Sequence, residues 1–421
     1  MRLKVLNDKI KWVSSNGLIK VPDDKIINLP FKDSLKFVGN SPNDFSLIRY
    51  EKSDFDKSTW TEKEKTLFWS GCKAHSVNGF GYTTYEFVRA ISKKINIFTG
   101  FGDIVEFDIE KSFLDLIKKE NPFEKCVALI HDVPHRSRDI SSHPIVGLYT
   151  TYETTGIKKE WAAKVNEYDF LVLNSKFLIN TFKNSGVTIP ISYVPLGVNK
   201  NEYPLFDRVK YYSKNKDDGN FMFGTYAQMT KRKGVDVAIK AFLKTFPKYK
   251  YPNVYFYVKS TYPIKLWEDM SDDRIIQEHV ILSRKSLNEK LKSIDCFVFP
   301  TRGEGFGLPV IEAMSTGLPV IVTNWGGTAE FINENIAYPL DFKMVKNEIM
   351  CEKIEDNTGD MAEPSLDHLC ELMMKVYQNK NEAYKKGVKA SNYVQRYWSW
   401  DLSADKMINT IDSFLKKSNF V

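Results

Sequence analysis

Residues 294–325 read IDCFVFPTRGEGFGLPVIEAMSTGLPVIVTNW. An apolar run that ends at Pro300 predicts a buried strand, and Thr301 to Leu308 form a glycine-rich loop. The segment from Pro309 to Thr316 predicts a short helix, because proline suits the first helical turn, and a second apolar strand begins at Leu318. Together these signals predict one βαβ unit.

The loop and helix of this unit have the features of an anion site. Gly305 and Gly307 allow the backbone to approach a ligand closely, and the free N–H groups at the start of the helix attract negative charge. Glu304 in the loop and Glu312 one turn into the helix can both face a ligand at the strand ends. Such a site suits a nucleotide-sugar, which carries a diphosphate and several hydroxyls. The alternative is that both glutamates are ordinary solvated charges.

The stretch from Glu304 to Ile321, with two glutamates eight positions apart, resembles the donor-site signature of the retaining glycosyltransferases of family 4, glycosyl transferases group 1. The resemblance implies an α/β fold of the GT-B type, with two Rossmann-like domains facing across a cleft. It also implies that Glu304 holds hydroxyls of the transferred sugar and Glu312 those of the ribose. The donor-binding positions that it implies in the second domain are Arg232, Leu282, Ser283, Gly305, Phe306, Gly307, Leu308 and Glu312.

A second basic element follows the predicted strand Phe221 to Tyr226. Lys233 and Arg232 belong to a Lys-Arg-Lys-Gly turn that precedes a predicted helix, where family 4 places its phosphate-binding lysine. The usual arginine a few residues earlier is missing, which leaves Arg232 or Gln228 to take its place. The plain alternative is an ordinary basic turn.

The predicted N-terminal domain carries a second glycine loop and a histidine. After strand Thr66 to Trp69, the loop Ser76 to Tyr82 contains Gly79 and Gly81, and it resembles the glycine loop after the first strand in family 4. His131 follows the predicted strand Cys126 to Ile130 and resembles the family histidine that contacts the transferred sugar. A structural histidine at a strand end is the alternative.

The sequence does not predict a metal site. The histidines at 131, 135 and 143 match no helix-borne zinc spacing, and Pro134 argues against a helix that would align the first two. Asp54 and Asp56 match an Asp-x-Asp metal motif, but they lie in a charged stretch with no strand before them.

A length of 421 residues predicts more than one domain. We expect an N-terminal extension of short strands or irregular structure in 1–65 and an N-terminal Rossmann-like, acceptor-side domain in 66–200. A nucleotide-sugar-binding Rossmann-like domain in 201–398 and a helix in 399–421 that crosses back to the first domain complete the chain. Polar residues 200–219 are predicted to be the linker, and Glu363 to Val376 to be helical.

Composition narrows the class of protein further. Hydrophobic residues make up 43% of the chain, no apolar run is long enough to span a membrane, and residues 1–30 lack a signal-peptide core. We therefore expect a cytoplasmic protein with possible peripheral membrane contact. Five scattered cysteines without a C-x-x-C pair predict reduced thiols. The net charge of +7 favours anionic partners, but without a dense basic block or nucleic-acid motif it gives little support to nucleic acid.

The resemblance implies transfer from a UDP- or GDP-sugar to an acceptor hydroxyl, on a glycan or a lipid-linked molecule, with retention and without a metal or other cofactor. His131, Lys233 and Glu304 are the predicted catalytic residues, and the leaving phosphate takes the acceptor proton. Asp132 as a covalent nucleophile is a variant of this mechanism. Two other functions stay open: glycosylation of nucleic acid, and sugar-nucleotide binding or protein interaction without turnover.

Overall fold

The computed structural model describes five short strands within residues 2–47 and most of the chain between residues 58 and 417. Left out of that second part are residues 59, 62–63, 73, 75–77, 100–112, 114–125, 137–142, 215–218, 229, 262–270 and 350–358. The Asp54 and Asp56 pair therefore lies outside the described residues, as does Cys351. Cys72, Cys126, Cys296 and Cys370 are free thiols.

The first five strands form two small antiparallel sheets. One has the order β4-β1-β5, and the other is the pair β2-β3. The strands are β1 (Arg2–Val5), β2 (Trp12–Ser14), β3 (Gly17–Ile19), β4 (Ile26–Asn28) and β5 (Phe45–Leu47).

A six-stranded parallel sheet of order β11-β10-β9-β8-β6-β7 follows. Its central strands are buried along their whole length, as expected for a parallel sheet covered by helices on both faces. The elements are β6 (Thr66–Gly71), α1 (Gly79–Ile91), β7 (Asn96–Thr99), β8 (Val127–His131), β9 (Ile145–Thr150), α2 (Lys159–Val165), β10 (Phe170–Leu173), α3 (Phe177–Asn184) and β11 (Ile191–Tyr193).

Helix α1 begins earlier than the sequence pattern suggested. The Asn78 side chain accepts the Gly81 N–H at 3.0 Å, so that Gly79 and Gly81 both lie in the first helical turn. The predicted glycine loop is thus shorter, and its two glycines belong to the start of a helix.

The predicted linker also contains a helix, α4 (Arg208–Lys214). Arg208 is 1% exposed, and its guanidinium donates to the carbonyls of Leu291 and Ile294 in the second domain. The segment predicted to be the linker is thus tied to the second domain by a buried arginine that satisfies backbone carbonyls.

A second parallel sheet has the order β14-β13-β12-β15-β16-β17, which is 3-2-1-4-5-6 in chain order. That is the Rossmann order. In such a sheet, ligands bind in the crevice at the point where the strand order reverses. Its elements are β12 (Phe221–Tyr226), α5 (Val235–Thr245), β13 (Val254–Ser260), β14 (Ile275–His279), α6 (Arg284–Lys292), β15 (Cys296–Phe299), α7 (Leu308–Ser315), β16 (Val320–Thr323) and β17 (Tyr338–Leu340).

The predicted βαβ unit is present as β15, α7 and β16. Gly307, at φ +106°, precedes α7, and Gly317, at φ +75°, follows its end. Both positions need the left-handed backbone conformation that glycine adopts at little cost.

The last part of the chain holds a hairpin and three helices. Contrary to the expected helix over Glu363 to Val376, its first residues belong to a strand, because Phe342–Lys346 pairs with them and Ser365 caps the helix that follows. The elements are β18 (Phe342–Lys346), β19 (Asp360–Pro364), α8 (Leu366–Gln378), α9 (Lys380–Tyr397) and α10 (Trp400–Lys417).

Helix α10 returns to the first domain, as expected. Trp400 packs on Phe87 of α1 with ring centroids 5.3 Å apart, and Phe414 packs on Phe170 of β10 at 4.7 Å. The two parallel sheets and the returning helix establish the predicted α/β fold of two Rossmann-like domains. Among the described residues, none of the helices combines the length and apolar character needed to cross a membrane.

Candidate active site

A cavity of about 440 Å³ lies between the carboxyl ends of the two parallel sheets. On the first domain it meets the ends of β6 and β8, and on the second the ends of β12 and β15. In each sheet the strand order reverses between the two strands of this pair. The two ligand-binding edges of the domains therefore face each other. Of the predicted site residues, the cavity is lined by Gly79, His131, Arg232, Lys233, Leu282, Glu304, Gly305, Phe306, Gly307, Leu308 and Glu312.

Glu304 lies at the centre of the second-domain wall and is 7% exposed. Its Oε1 accepts a hydrogen bond from Lys233 and lies 3.1 Å from Arg232 Nη1, which also donates to the Gly303 carbonyl. Burial alone would raise the pKa of Glu304, but Lys233 and Arg232 outweigh it and hold that pKa below its ordinary value. The carboxylate predicted to hold the sugar is therefore ionised and paired with the cations predicted to hold the diphosphate.

Glu312 lies deeper, in the second turn of α7, and is 4% exposed. Its partner is Arg284 at 2.9 Å, and the same arginine atom donates to the Tyr203 hydroxyl at 3.1 Å. Burial raises the pKa of Glu312 to about 7 even though Arg284 opposes the shift. This carboxyl thus titrates near neutral pH.

Arg284 is a site residue that the sequence analysis did not identify. It is the first residue of α6, and its guanidinium lies over the Tyr82 ring of α1 at 3.4 Å from the centroid. A cation at this point joins the second-domain carboxylate to the first domain. Nothing in the local sequence pattern distinguishes a buried arginine at this position from a solvated one.

Two helix N-termini converge on the cavity. A Cβ at Gly79, the first residue of α1, would lie 3.8 Å from the side chain of Leu308, the first residue of α7. Their free N–H groups and macrodipoles favour an anion between them.

His131 ends β8 and is 4% exposed. Its Nδ1 lies 2.8 Å from the Thr84 hydroxyl, and its ring stacks on Phe80 with centroids 5.1 Å apart. Burial lowers the pKa of His131 to about 3, so the imidazole is neutral.

The other histidines and Asp132 lie apart from this wall. His135 packs on Trp161 and His143 stacks on Phe68. Asp132 accepts from the Val133 N–H and from Arg136 and does not line the cavity, which gives no support to a nucleophilic role. Among the described residues, no group of three or more His, Cys, Asp or Glu side chains is placed to hold a metal ion.

Two predicted donor-binding residues do not line the cavity. The Gly81 N–H is used in capping α1, and the Ser283 side chain caps α6 by accepting the Ser286 N–H. Gln228, by contrast, lines the cavity together with Arg232, so both candidates for the missing arginine lie at the site.

The glycine loop of the second domain contacts the first domain as well as the cavity. A Cβ at Gly303 would lie 2.3 Å from the Glu153 carbonyl, and one at Gly305 would lie 1.7 Å from the Thr151 hydroxyl. Gly305 was predicted to allow the approach of a ligand; in this structure it allows the approach of a first-domain loop. Glu153 also lines the cavity and lies 3.6 Å from Arg232.

Residues 220–360 match the family model for glycosyl transferases group 1. The "Uncharacterized protein 356" of Sulfolobus islandicus rod-shaped virus 1 is 27% identical over 193 residues, 44% of this chain and 53% of its own length. The lipopolysaccharide core biosynthesis mannosyltransferase LpsB of Rhizobium meliloti (strain 1021) is 25% identical over 175 residues, 38% of this chain and 50% of its own. The chain thus spans about half the length of both relatives.

Similarity to solved structures extends over most of the chain. The crystal structure of Anabaena HepE in complex with UDP and glucose has a TM-score of 0.59 at 12% identity, covering 83% of this chain and 99% of that one. The class defined by the two facing sheets and the cavity between them is the GT-B fold. Within it, residues 220–360 are a glycosyl transferases group 1 domain.

Proposed function

We propose that the chain is a retaining glycosyltransferase that moves a sugar from a nucleoside-diphosphate sugar to an acceptor hydroxyl without a metal ion. The observation that carries the proposal is the cluster of Glu304, Lys233 and Arg232 beside the start of α7, inside a cavity between two Rossmann-like domains. Oxygen-rich, doubly charged diphosphates are bound by such cations and helix termini.

In the absence of a donor, both glutamates are held by cations. A diphosphate entering between α1 and α7 competes with Glu304 for Lys233 and Arg232, which leaves the carboxylate free to accept hydrogen bonds from the transferred sugar. Glu312 lies on α7 away from this cluster and, with Arg284 as its partner, accepts the ribose hydroxyls. Lys233 and Arg232 thus change partner when the donor binds, whereas Arg284 keeps its pair with Glu312.

The chemical step breaks the bond between the anomeric carbon and the diphosphate oxygen. A new bond forms from the acceptor oxygen to the same face of that carbon, and the acceptor proton passes to the leaving phosphate. Lys233, Arg232 and the backbone N–H groups of Gly307 and Leu308 stabilise the charge that develops on the diphosphate, and each such donor contributes about 3 kcal/mol in comparable sites. Neutral His131 accepts or donates a hydrogen bond at the sugar without adding charge.

The names of the relatives agree with this assignment. LpsB is named as a mannosyltransferase of lipopolysaccharide core synthesis, and HepE is bound to UDP and glucose. The UDP complex of HepE supports a UDP-sugar donor, and the name of LpsB supports a glycan or lipid-linked acceptor for this chain.

The test is hydrolysis and transfer with UDP-, GDP- and ADP-sugars in the presence of EDTA, comparing the wild-type protein with Lys233→Met and Glu304→Gln. We expect nucleotide release from one donor that EDTA does not change and that either substitution lowers by at least 100-fold. Nuclear magnetic resonance of the first-formed product should show the anomeric configuration of the donor.

Lys233→Met leaves Glu304 with Arg232 alone, and Glu304→Gln removes the carboxylate shared by two cations, so each single substitution can itself destabilise the fold. The double variant Lys233→Met/Glu304→Gln removes both charges, and Lys244→Met removes a surface lysine paired with the exposed Asp367. Thermal unfolding of the wild-type protein and the four variants distinguishes a loss of folding from a loss of catalytic activity. Absence of turnover and binding with every donor would favour an interaction protein that retains only the fold, and loss of activity with EDTA would contradict the metal-free mechanism.

A further inference from the structure

The two walls of the cavity differ in charge. Among the described lining residues, the second domain contributes all the lysines and arginines: Arg232, Lys233, Lys259 and Arg284. Among the described first-domain lining residues, Glu153 has the one charged side chain. His131 is neutral. The positive charge of the site is therefore placed on the wall that takes the diphosphate.

The first-domain wall is rich in hydrogen-bonding groups at the ends of β9 and β10. Asn174 is 6% exposed, and its Oδ1 accepts from the Thr151 hydroxyl at 3.0 Å. Thr150 is 2% exposed and lines the cavity, and its hydroxyl has no hydrogen-bond partner among the described residues. A ligand hydroxyl is the natural partner for such a group, because buried polar atoms are seldom left without one.

The same wall also offers a flat apolar surface. Phe80 lines the cavity at the start of α1 and is held parallel to His131, with an angle of 19° between the rings. An apolar ring beside amide, hydroxyl and carboxylate groups suits a sugar, which has an apolar C–H face and a rim of hydroxyls.

We propose that the acceptor is an uncharged sugar residue, bound between Phe80 and the polar group formed by Glu153, Thr150 and Asn174; this inference rests on the proposed glycosyltransferase function. Acceptor hydroxyls donate to the Glu153 carboxylate and fill the partner position at Thr150. Glu153 faces Arg232 at 3.6 Å, so the acceptor and donor sites meet at one ion pair.

A phosphorylated acceptor fits this wall poorly. Its phosphate would approach Glu153 with like charge, and among the described lining residues the first domain offers no cation to pair with it. Three of the four second-domain cations are engaged: Lys233 and Arg232 with Glu304 and the incoming diphosphate, and Arg284 with Glu312. Nucleic acid and sugar phosphates are thus disfavoured for the same reason.

The test uses the donor identified by hydrolysis and compares transfer to methyl glycosides with transfer to the 6-phosphates of the same sugars. We expect kcat/KM to be at least tenfold higher for the uncharged acceptors. Glu153→Gln should reduce this preference severalfold, whereas Glu289→Gln, which changes a surface carboxylate paired with Lys292, should leave it unchanged.

Donor hydrolysis without acceptor is measured in parallel, so that the two proposals fail separately. Turnover of a donor combined with equal or better use of phosphorylated acceptors overturns the acceptor inference and leaves the glycosyltransferase assignment intact. Turnover of a donor without transfer to any uncharged sugar also overturns it. If no donor is hydrolysed or bound, both proposals fall.

Discussion

Glu304 and Glu312 lie eight residues apart in one loop and helix, yet their surroundings drive their ionisation in opposite directions. Two cations, Lys233 and Arg232, hold the pKa of Glu304 below its ordinary value. Glu312 is paired with one cation, Arg284, and burial raises its pKa to about 7. The balance of desolvation and paired charge therefore decides which carboxylate is sensitive to pH in the physiological range.

We predict that donor affinity rises with pH through about 7. Below that pH Glu312 is protonated and loses an acceptor for the ribose hydroxyls; above it the carboxylate is ionised and can accept both. With a pKa near 7, about one tenth of the sites are ionised at pH 6, so the donor dissociation constant should be about tenfold higher at pH 6 than at pH 8. Calorimetric titration of donor at several pH values measures it.

Glu312→Gln is the matched variant for this prediction, since it keeps the shape and removes the titration. Its affinity should be weaker and should no longer change between pH 6 and 8. A pH dependence that persists in the variant would assign the titration to another group.

At the scale of elements, the turn that carries Lys233 and Arg232 is fixed from two sides. Arg302 donates to the Lys231 carbonyl and pairs with Asp236 on α5 and with Glu363 on β19. Gly234 has φ +69°, and a Cβ there would lie 1.8 Å from the Pro300 carbonyl oxygen. The basic turn thus packs directly against the end of β15, which also carries the Glu304 loop.

We predict that Gly234→Ala lowers the free energy of unfolding by about 2–4 kcal/mol, because it adds a backbone clash to left-handed strain. Gly219→Ala is the control, since Gly219 has φ +80° and nothing within 4 Å of a Cβ. That change should cost only about 1 kcal/mol. Urea unfolding of both variants measures the difference, and equal costs would show that the contact with Pro300 is not rigid.

At the scale of the whole molecule, helix α10 packs against the first domain. Asp412 of α10 accepts from the Trp60 indole at 2.7 Å and pairs with Lys65 at 2.7 Å, just before β6. The side chains of Lys65 and Asp412 are largely buried, so their ion pair is less exposed to solvent than a surface ion pair. Just before α10, Val198 pairs with Ser399, and its N–H donates to the Trp398 carbonyl at 2.8 Å.

We predict that Asp412→Ala lowers the free energy of unfolding by about 2 kcal/mol, since it removes two hydrogen bonds to a carboxylate. Asp401→Ala on the same helix is the control, because its pair with Lys93 is long, at 3.6 Å, and exposed. It should leave stability unchanged within the error of thermal unfolding. A similar loss in both variants would mean that removal of any carboxylate from α10, and not the contact with Trp60 and Lys65, explains the effect, since alanine has the higher helix propensity.

Local sequence signals were sufficient for the elements whose pattern and turn chemistry agree. The βαβ unit around Glu304, the basic turn before α5 and the returning helix α10 follow from apolar runs, glycine and proline positions and amphipathic spacing. The same signals failed at β19 and α4. There, pairing with Phe342–Lys346 and burial of Arg208 against distant carbonyls override local preference.

The sequence alone determined the fold class, the loop with its two glutamates and the lysine of the basic turn, because each is encoded within a few neighbouring residues. Tertiary structure decided which charges meet. It paired Glu304 with Lys233 and Arg232. It also brought Arg284 onto Glu312 and Tyr82 and placed Glu153 3.6 Å from Arg232 of the second domain. These partners are separated by 28 to more than 200 positions in the chain or lie in different domains. Ionisation and acceptor chemistry depend on distance and burial in three dimensions, and neighbouring residues in the chain do not specify either quantity.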